Sequence, residues 1–196
     1  MSTNLLLKEL TPNLMLVSEK SDCKPLNISM GIALTPVGNC FVAWNKDVCN
    51  GYLVYFLAFT QDAQKLIVAK TDLAKLLPQA SLHENNKDAE KLIRNIFDTQ
   101  SKIQISIFTN GTEFQKQVWH TLTKVNFGTV ISYQELAQRV GNINSTRAVA
   151  SAVARNNVSY LIPCHRIIRK SGDINKYRWG KGIKRKLIDW EQKLLK

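Results

Sequence analysis

The sequence predicts an α+β (α/β) protein in two parts, with a strand-rich N-terminal domain at residues 1–105 and a mostly helical C-terminal domain at residues 106–196. Apolar stretches joined by a turn predict strands in the first part, and two helix-capping sequences predict helices in the second. The charge changes at the same place. Residues 1–105 hold eleven basic and ten acidic side chains, whereas residues 106–196 hold sixteen and five.

Three strands and one helix are predicted in the N-terminal domain. Residues 28–34 and 39–44 are apolar stretches separated by a Thr-Pro-Val-Gly turn, and residues 51–59 are rich in aromatic and branched side chains. Residues 77–86 contain Pro, Ser, His and Asn and predict a loop. Residues 87–97 carry apolar side chains at helical spacing, namely Ala89, Leu92, Ile93, Ile96 and Phe97. We therefore expect a small three-stranded antiparallel sheet with a helix.

Two capping boxes predict helices in the C-terminal domain. The first joins Thr112 to Gln115 and the second joins Ser132 to Glu135. After a turn at residues 141–144, a further helix is expected at residues 145–155, with small side chains at Ala148 and Ala152. Two short helices around a glycine-containing turn in a basic segment are typical of a helix-turn-helix, although ordinary helical hairpins show the same pattern.

The net charge of +12 favours a polyanionic partner for the basic domain, with a purely solubilising role as the alternative. No stretch is apolar and long enough to cross a bilayer, and the N-terminus lacks the pattern of a secretion signal, so we expect a cytoplasmic protein. The four cysteines are widely spaced. A site from Cys23, Cys40, Cys49 and His83 matches no tetrahedral zinc spacing, so we predict no metal.

Cys164 stands out among the cysteines because of its neighbours. An apolar strand is expected to lead from Tyr160 into Pro163, and His165 and Arg166 follow the cysteine directly. A thiol reacts as the thiolate, which a base or a nearby cation favours. The alternative is an inert, packed cysteine.

The last helix adds a candidate acid. Its apolar stripe predicts four buried side chains, Ile183, Leu187, Trp190 and Leu194. Glu191 borders that stripe and needs a partner. His165 would complete a Cys–His–Glu relay, whereas Lys184 or Lys186 would give a surface ion pair, and the spacing leaves both open.

The run IPCHRII, together with GTEFQKQVW, FGTVISYQELA, STRAVASAVARNN and YRWG, resembles the O6-alkylguanine-DNA alkyltransferase family, and most of all the C-terminal part of bacterial Ada-type enzymes. The resemblance covers roughly residues 111–191. It implies a ribonuclease-H-like N-terminal domain and a winged-helix-like C-terminal domain. It also implies a monomer that binds double-stranded DNA carrying O6-alkylguanine in the minor groove. The alkyl group would pass irreversibly to Cys164 without a cofactor, and O4-alkylthymine is a second candidate lesion.

The resemblance also assigns roles to individual residues. Cys164 would accept the alkyl group, His165 would act as a water-mediated base and Glu191 would orient it. Asn156 would brace the active-site turn, Tyr133 would help rotate the nucleotide and protonate guanine, and Lys184 would lie near the site. The expected DNA contacts are Arg147, which would fill the stack, with Tyr133, Ala148, Ser151 and Arg155. The expected substrate pocket consists of Ile167, Tyr177, Arg178 and Trp179.

Two other functions fit parts of the sequence. A DNA-binding regulator would use the helix-turn-helix without chemistry, but it would not need Cys164. A cysteine hydrolase would use Cys164, His165 and Glu191, but it would have no use for the basic charge or for Arg147.

Overall fold

A computed structural model describes residues 13–17, 27–46, 51–174 and 177–196. The described residues form a mixed α/β fold with two compact units that divide between Asn110 and Gly111. The predicted domain boundary after Ile105 falls inside a strand, Gln104–Phe108, that belongs wholly to the first unit. Within the described residues, no helix combines the length and the apolarity needed to cross a bilayer.

The N-terminal unit is built around one sheet. Its strands are β1 (Asn13–Val17), β2 (Asn27–Thr35), β3 (Gly38–Lys46), β4 (Tyr52–Phe59), β5 (Ser81–Glu84) and β6 (Gln104–Phe108). Its helices are α1 (Ala63–Leu76) and α2 (Asn86–Phe97). The described strands lie in the order β1-β6-β4-β3-β2-β5.

The sheet therefore has more strands than the three antiparallel ones that the sequence predicts. Strands β2, β3 and β4 do pair antiparallel as expected, but β5 adds to β2 and β6 adds to β4, both in parallel, and β1 pairs with β6. The predicted loop at residues 77–86 was wrong over Ser81–Glu84, which form β5. Strand β5 is short and mostly polar, so its conformation is decided by pairing with β2, which the local sequence pattern cannot show.

Helix α2 packs on the sheet with the five predicted apolar side chains buried, Ala89, Leu92, Ile93, Ile96 and Phe97. The helix approaches β2 closely at Gly31, where an added Cβ would lie 2.7 Å from the Cβ of Ala89. The Asn86 side chain accepts a hydrogen bond from the Ile32 amide at 2.8 Å, which helps to hold the helix against the strand.

The C-terminal unit contains four helices in the described residues, α3 (Glu113–Thr123), α4 (Tyr133–Val140), α5 (Thr146–Ala154) and α6 (Lys181–Lys193). Both predicted capping boxes are present, at Thr112 and Ser132. Gly141 ends α4 with φ 104°, a left-handed conformation that suits glycine, and a 3-10 turn at Ile143–Ser145 leads into α5. The two short helices predicted around the glycine-containing turn are therefore α4 and α5.

Two further predictions for this unit were wrong. In place of the predicted strand, residues 160–161 form a turn with φ 71° at Tyr160, and Ile162 makes only an isolated bridge to Ser159. Leu194 lies just beyond the end of α6 and is 48% exposed, because the helical stripe no longer faces the core there. A short parallel pair, β7 (Ile131–Ser132) with β8 (Ile167–Ile168), connects the start of α4 to the segment after Cys164.

Candidate active site

Cys164 opens a 3-10 turn, Cys164–Arg166, directly before β8. The side chain is buried, and its Sγ accepts a hydrogen bond from Asn156 Nδ2 at 3.2 Å. The hydroxyl of Tyr177 lies 3.9 Å from the same sulfur. Burial raises the pKa of the Cys164 thiol, and the contacts with Asn156 and Tyr177 and the charge of Lys184 lower it only in part. The resting group is therefore a thiol that must lose its proton before it can react.

Asn156 joins the end of α5 to the cysteine. Its Nδ2 also donates to the carbonyl of Ile162 at 2.8 Å, and its Oδ1 accepts from the amide of Val158 at 2.9 Å. One buried side chain therefore satisfies two backbone groups of the turn and also contacts the sulfur. This geometry fits the bracing position expected for Asn156.

His165 is fully buried and contacts Glu191, with 2.9 Å between Nε2 and Oε1. An ionised carboxylate only accepts hydrogen bonds, so Nε2 carries the proton and Nδ1 has a free lone pair. Nδ1 has no hydrogen-bond partner among the described residues. Burial lowers the pKa of His165, and the nearby carboxylate offsets this only in part. The resting imidazole is therefore neutral and can accept a proton at Nδ1.

Glu191 lies in a buried network with more partners than the sequence suggested. Its carboxylate accepts hydrogen bonds from Nε and Nη2 of Arg166 at 2.8–3.2 Å and from the amide of Gly128 at 2.9 Å. Burial alone would raise the pKa of Glu191, but His165 and Arg166 outweigh it and hold the pKa at about 2. Of the two pairings that the sequence left open, the structure contains the one with His165.

Arg166 is the site residue whose place the sequence did not indicate. We interpreted it as a cation near the thiol, but its guanidinium binds Glu191 and, through Nη1, the carbonyl of Val125 at 2.6 Å. It also lies 5.4 Å from the ring centre of Phe127. An arginine inside the apolar run IPCHRII is the signal that could have indicated a buried carboxylate partner.

The side chain of Lys184, on α6, is buried. Its Nζ donates a hydrogen bond to the carbonyl of Ile167, which is also buried. Burial lowers the pKa of Lys184 to about 8, although the nearby Cys164 opposes the shift. Lys186, the other lysine considered as a partner for Glu191, is exposed.

The four predicted DNA contacts on α5 lie on its exposed face, namely Arg147, Ala148, Ser151 and Arg155 at its C-terminal cap. Ala152, the other small residue that the sequence analysis noted in this helix, is buried, and its carbonyl accepts a hydrogen bond from Trp119 Nε1 at 2.9 Å. Contact with α3 therefore decides which small residues of α5 stay accessible. Tyr133 is the first residue of α4 and is half-buried.

The predicted pocket residues differ in exposure. Ile167 and Trp179 are both buried, and Nε1 of Trp179 donates a hydrogen bond to Ser159 Oγ at 2.7 Å. Arg178 is exposed and lies 5.1 Å from the ring centre of Trp179. Tyr177 is half-buried, and burial followed by the charge of Cys164 raises its pKa.

The described part of the chain contains no cluster of His, Cys, Asp or Glu that could hold a metal ion. Cys40 is buried in β3 and His83 is exposed in β5. The other two cysteines considered for zinc, Cys23 and Cys49, lie outside the described residues.

Comparison with known proteins gives consistent matches. Residues 113–193 match the sequence profile described as "6-O-methylguanine DNA methyltransferase, DNA binding domain". A methylated-DNA–protein-cysteine methyltransferase of Kluyveromyces lactis is 39% identical over 64% of this chain, and the chain spans 63% of that protein's length. A protein of the same name from Methanosarcina acetivorans is 34% identical, over 54% of this chain and 68% of the relative.

Among solved structures, the O6-methylguanine methyltransferase of Mycobacterium tuberculosis superimposes with a TM-score of 0.64, covering 85% of this chain and 93% of that one. The identity over this match is 24%, so the match concerns the fold alone.

Proposed function

Because the chain belongs to the methylated-DNA–protein-cysteine methyltransferase family, we propose that it repairs O6-alkylguanine in DNA by moving the alkyl group onto its own Cys164. The observation that carries the proposal is the buried cysteine bound by Asn156, directly followed by a histidine that Glu191 holds in one tautomer. O4-alkylthymine is the second candidate lesion. Each molecule reacts once, because the thioether product has no easy route back to the thiol.

The proposed reaction is an in-line displacement at the alkyl carbon. His165 takes the thiol proton through Nδ1, directly or through one water, and Glu191 stabilises the imidazolium that forms. The sulfur then forms the new S–C bond as the C–O bond to guanine breaks. The leaving guanine gains a proton, for which Tyr133 is the proposed donor. No cofactor is required, because the thiol is the nucleophile and the alkylated base is the leaving group.

Two nearby groups support this step. The hydrogen bond from Asn156 stabilises the developing thiolate, and the Lys184 charge favours it as well. Their effect is larger in the reacting state than at rest, because the full negative charge exists only after the proton has left.

The exposed face of α5 is the proposed DNA-binding surface. Arg147, Arg155, Ala148 and Ser151 share this face, which combines basic groups with small side chains. Small residues allow a helix to approach the narrow minor groove, and the basic groups bind phosphates. Because the target base is stacked inside the duplex, it must be flipped out, and Arg147 is proposed to fill the space it leaves. Tyr133 would help to rotate the nucleotide.

The flipped base is proposed to bind beside Cys164, in a pocket formed by Ile167, Tyr177, Arg178 and Trp179. The short distance between Tyr177 and the sulfur supports this placement. At the level of the fold, we propose that the N-terminal domain is ribonuclease-H-like and that the C-terminal domain is winged-helix-like. A monomeric state and a cytoplasmic location complete the proposal, and sedimentation and imaging of the tagged protein would test them.

Intact-mass analysis after mixing with an O6-methylguanine duplex tests the function. We expect one added methyl group, mapped by peptide analysis to Cys164, and no transfer to Cys164→Ala, which should still bind DNA. Methyl on Cys40 instead would refute the assignment. DNA binding without any transfer would favour the regulator, and turnover of an ester substrate would favour the hydrolase.

A further inference from the structure

Tyr160 has an unusual backbone conformation. Among the described residues, it is the one non-glycine residue with positive φ, at 71°. A bulky side chain rarely adopts this conformation, and such strain persists only where the surroundings enforce it. The surroundings here are the hydrogen bonds from the Leu161 amide to Ser159 and from the Ile162 amide to Val158, each at 3.0 Å. The turn therefore holds Tyr160 firmly in place.

The result of this turn is a ring stack on His165. The two rings are nearly parallel, with an interplanar angle of 10° and 5.8 Å between their centres. The ring of Trp190, on α6, is tilted against the Tyr160 ring, with 6.0 Å between the two ring centres. Tyr160 is 5% exposed, so the stack lies inside the C-terminal unit.

The polar contacts of His165 alone leave its ring with freedom to turn. Glu191 holds the ring at one atom, Nε2, and Nδ1 has no partner among the described residues. One hydrogen bond constrains the position of Nε2 but leaves the ring plane free to tilt about it. A nearly parallel, offset aromatic ring beside the imidazole restricts this tilt, because turning the imidazole plane would bring its edge toward the Tyr160 ring.

We infer that Tyr160 is a positioning residue for His165, and that its strained turn exists to place an aromatic ring against the imidazole. The ring keeps Nε2 on Glu191 and keeps Nδ1 in the orientation from which it accepts the proton of Cys164. The inference rests on the proposed function for its effect on rate, whereas its effect on the imidazole itself does not depend on that function.

Four variants separate the ring from the strain. Tyr160→Phe keeps the ring and the turn, and Tyr160→Leu removes the ring while keeping a bulky apolar side chain. Tyr160→Gly removes the ring but relaxes the backbone, because glycine adopts positive φ without strain. Trp190→Leu is the matched control, since it removes an aromatic ring that contacts Tyr160 without removing the surface that faces His165.

Two measurements on the full chain test whether Tyr160 positions His165. The first is the single-turnover rate of methyl transfer from an O6-methylguanine duplex. The second is the tautomer of His165 by nitrogen NMR, which is practical because the chain has three histidines. We expect Tyr160→Phe and Trp190→Leu to stay close to wild type. Tyr160→Leu and Tyr160→Gly should react at least about tenfold more slowly and show a mixture of tautomers.

The inference is overturned if Tyr160→Gly, folded by its unfolding curve, keeps the wild-type rate and a single Nε2-protonated imidazole. The same result for Tyr160→Leu would also overturn it. If the wild type transfers no methyl group, the proposed function fails. The NMR comparison then still decides whether Tyr160 positions the imidazole.

Discussion

The buried ion pair between Arg166 and Glu191 gives a quantitative prediction for Arg166→Met. Arg166 is 3% exposed and Glu191 is 1% exposed, so the pair is removed from water. Methionine would keep apolar contact with Phe127 but would remove the guanidinium donors to the carboxylate and to the Val125 carbonyl, which leaves His165 and the Gly128 amide as donors to Glu191. Breaking a buried pair in this way costs about 3–5 kcal/mol, because one charge stays buried with fewer partners. We expect a loss of that size in the free energy of unfolding of the C-terminal unit.

Urea unfolding followed by tryptophan fluorescence measures this loss. Trp119, Trp179 and Trp190 all lie in the C-terminal unit, and with a slope of about 2 kcal/mol per molar urea the midpoint should fall by roughly 2 M. The control is Arg185→Met, which removes the same charge from an exposed position on α6 and should change stability by less than about 0.5 kcal/mol.

A double variant separates the lost charge pairing from a general packing defect. Arg166→Met combined with Glu191→Leu leaves neither charge buried, so it should recover part of the stability lost in Arg166→Met. A loss below about 1 kcal/mol in the single variant would refute the reasoning. The absence of any recovery in the double variant would also contradict it.

Three further predictions follow from the same site. Lowering the pH from 7 to 3 should destabilise the C-terminal unit. In the folded protein the pKa values of Glu191 and His165 lie below their ordinary values of 4.5 and 6.5, so the unfolded chain takes up protons more readily than the folded one. The free energy of unfolding should therefore fall as the pH drops below these ordinary values. A urea midpoint that stays constant over this range would contradict it. Asn156→Ala should lower the free energy of unfolding by about 2 kcal/mol or more and slow methyl transfer, because it leaves the buried amide of Val158 and carbonyl of Ile162 unpaired. Unfolding curves and single-turnover rates test the two effects, and a wild-type rate would exclude a role of Asn156 in the transfer. Arg147→Ala should slow repair of duplex DNA more than reaction with a free modified base, since only the duplex has a stack to fill; equal losses in the two rate measurements would exclude the intercalating role.

The local elements of the fold could be predicted wherever the sequence pattern is itself the cause. Both capping boxes satisfy helix amides with side chains three residues away, and the five apolar residues of α2 face one side because of the helical repeat. The same reasoning failed at β5, where a polar segment becomes a strand only because β2 offers it a partner. It also failed at residues 160–161, where an apolar run turns sharply.

The sequence by itself determined which chemical groups are present: a cysteine followed by a histidine and an arginine, a carboxylate at the edge of an apolar helix face, and an excess of positive charge in one half. Only the tertiary structure decided how they pair, because residues far apart in the chain meet by packing and not by spacing. Glu191 could have paired with a lysine on its own helix, and it is the folding of α6 that places it against His165 and Arg166. The parallel ring of Tyr160 on His165 has the same origin, since a local pattern cannot show that a turn with positive φ will bring two aromatic faces together.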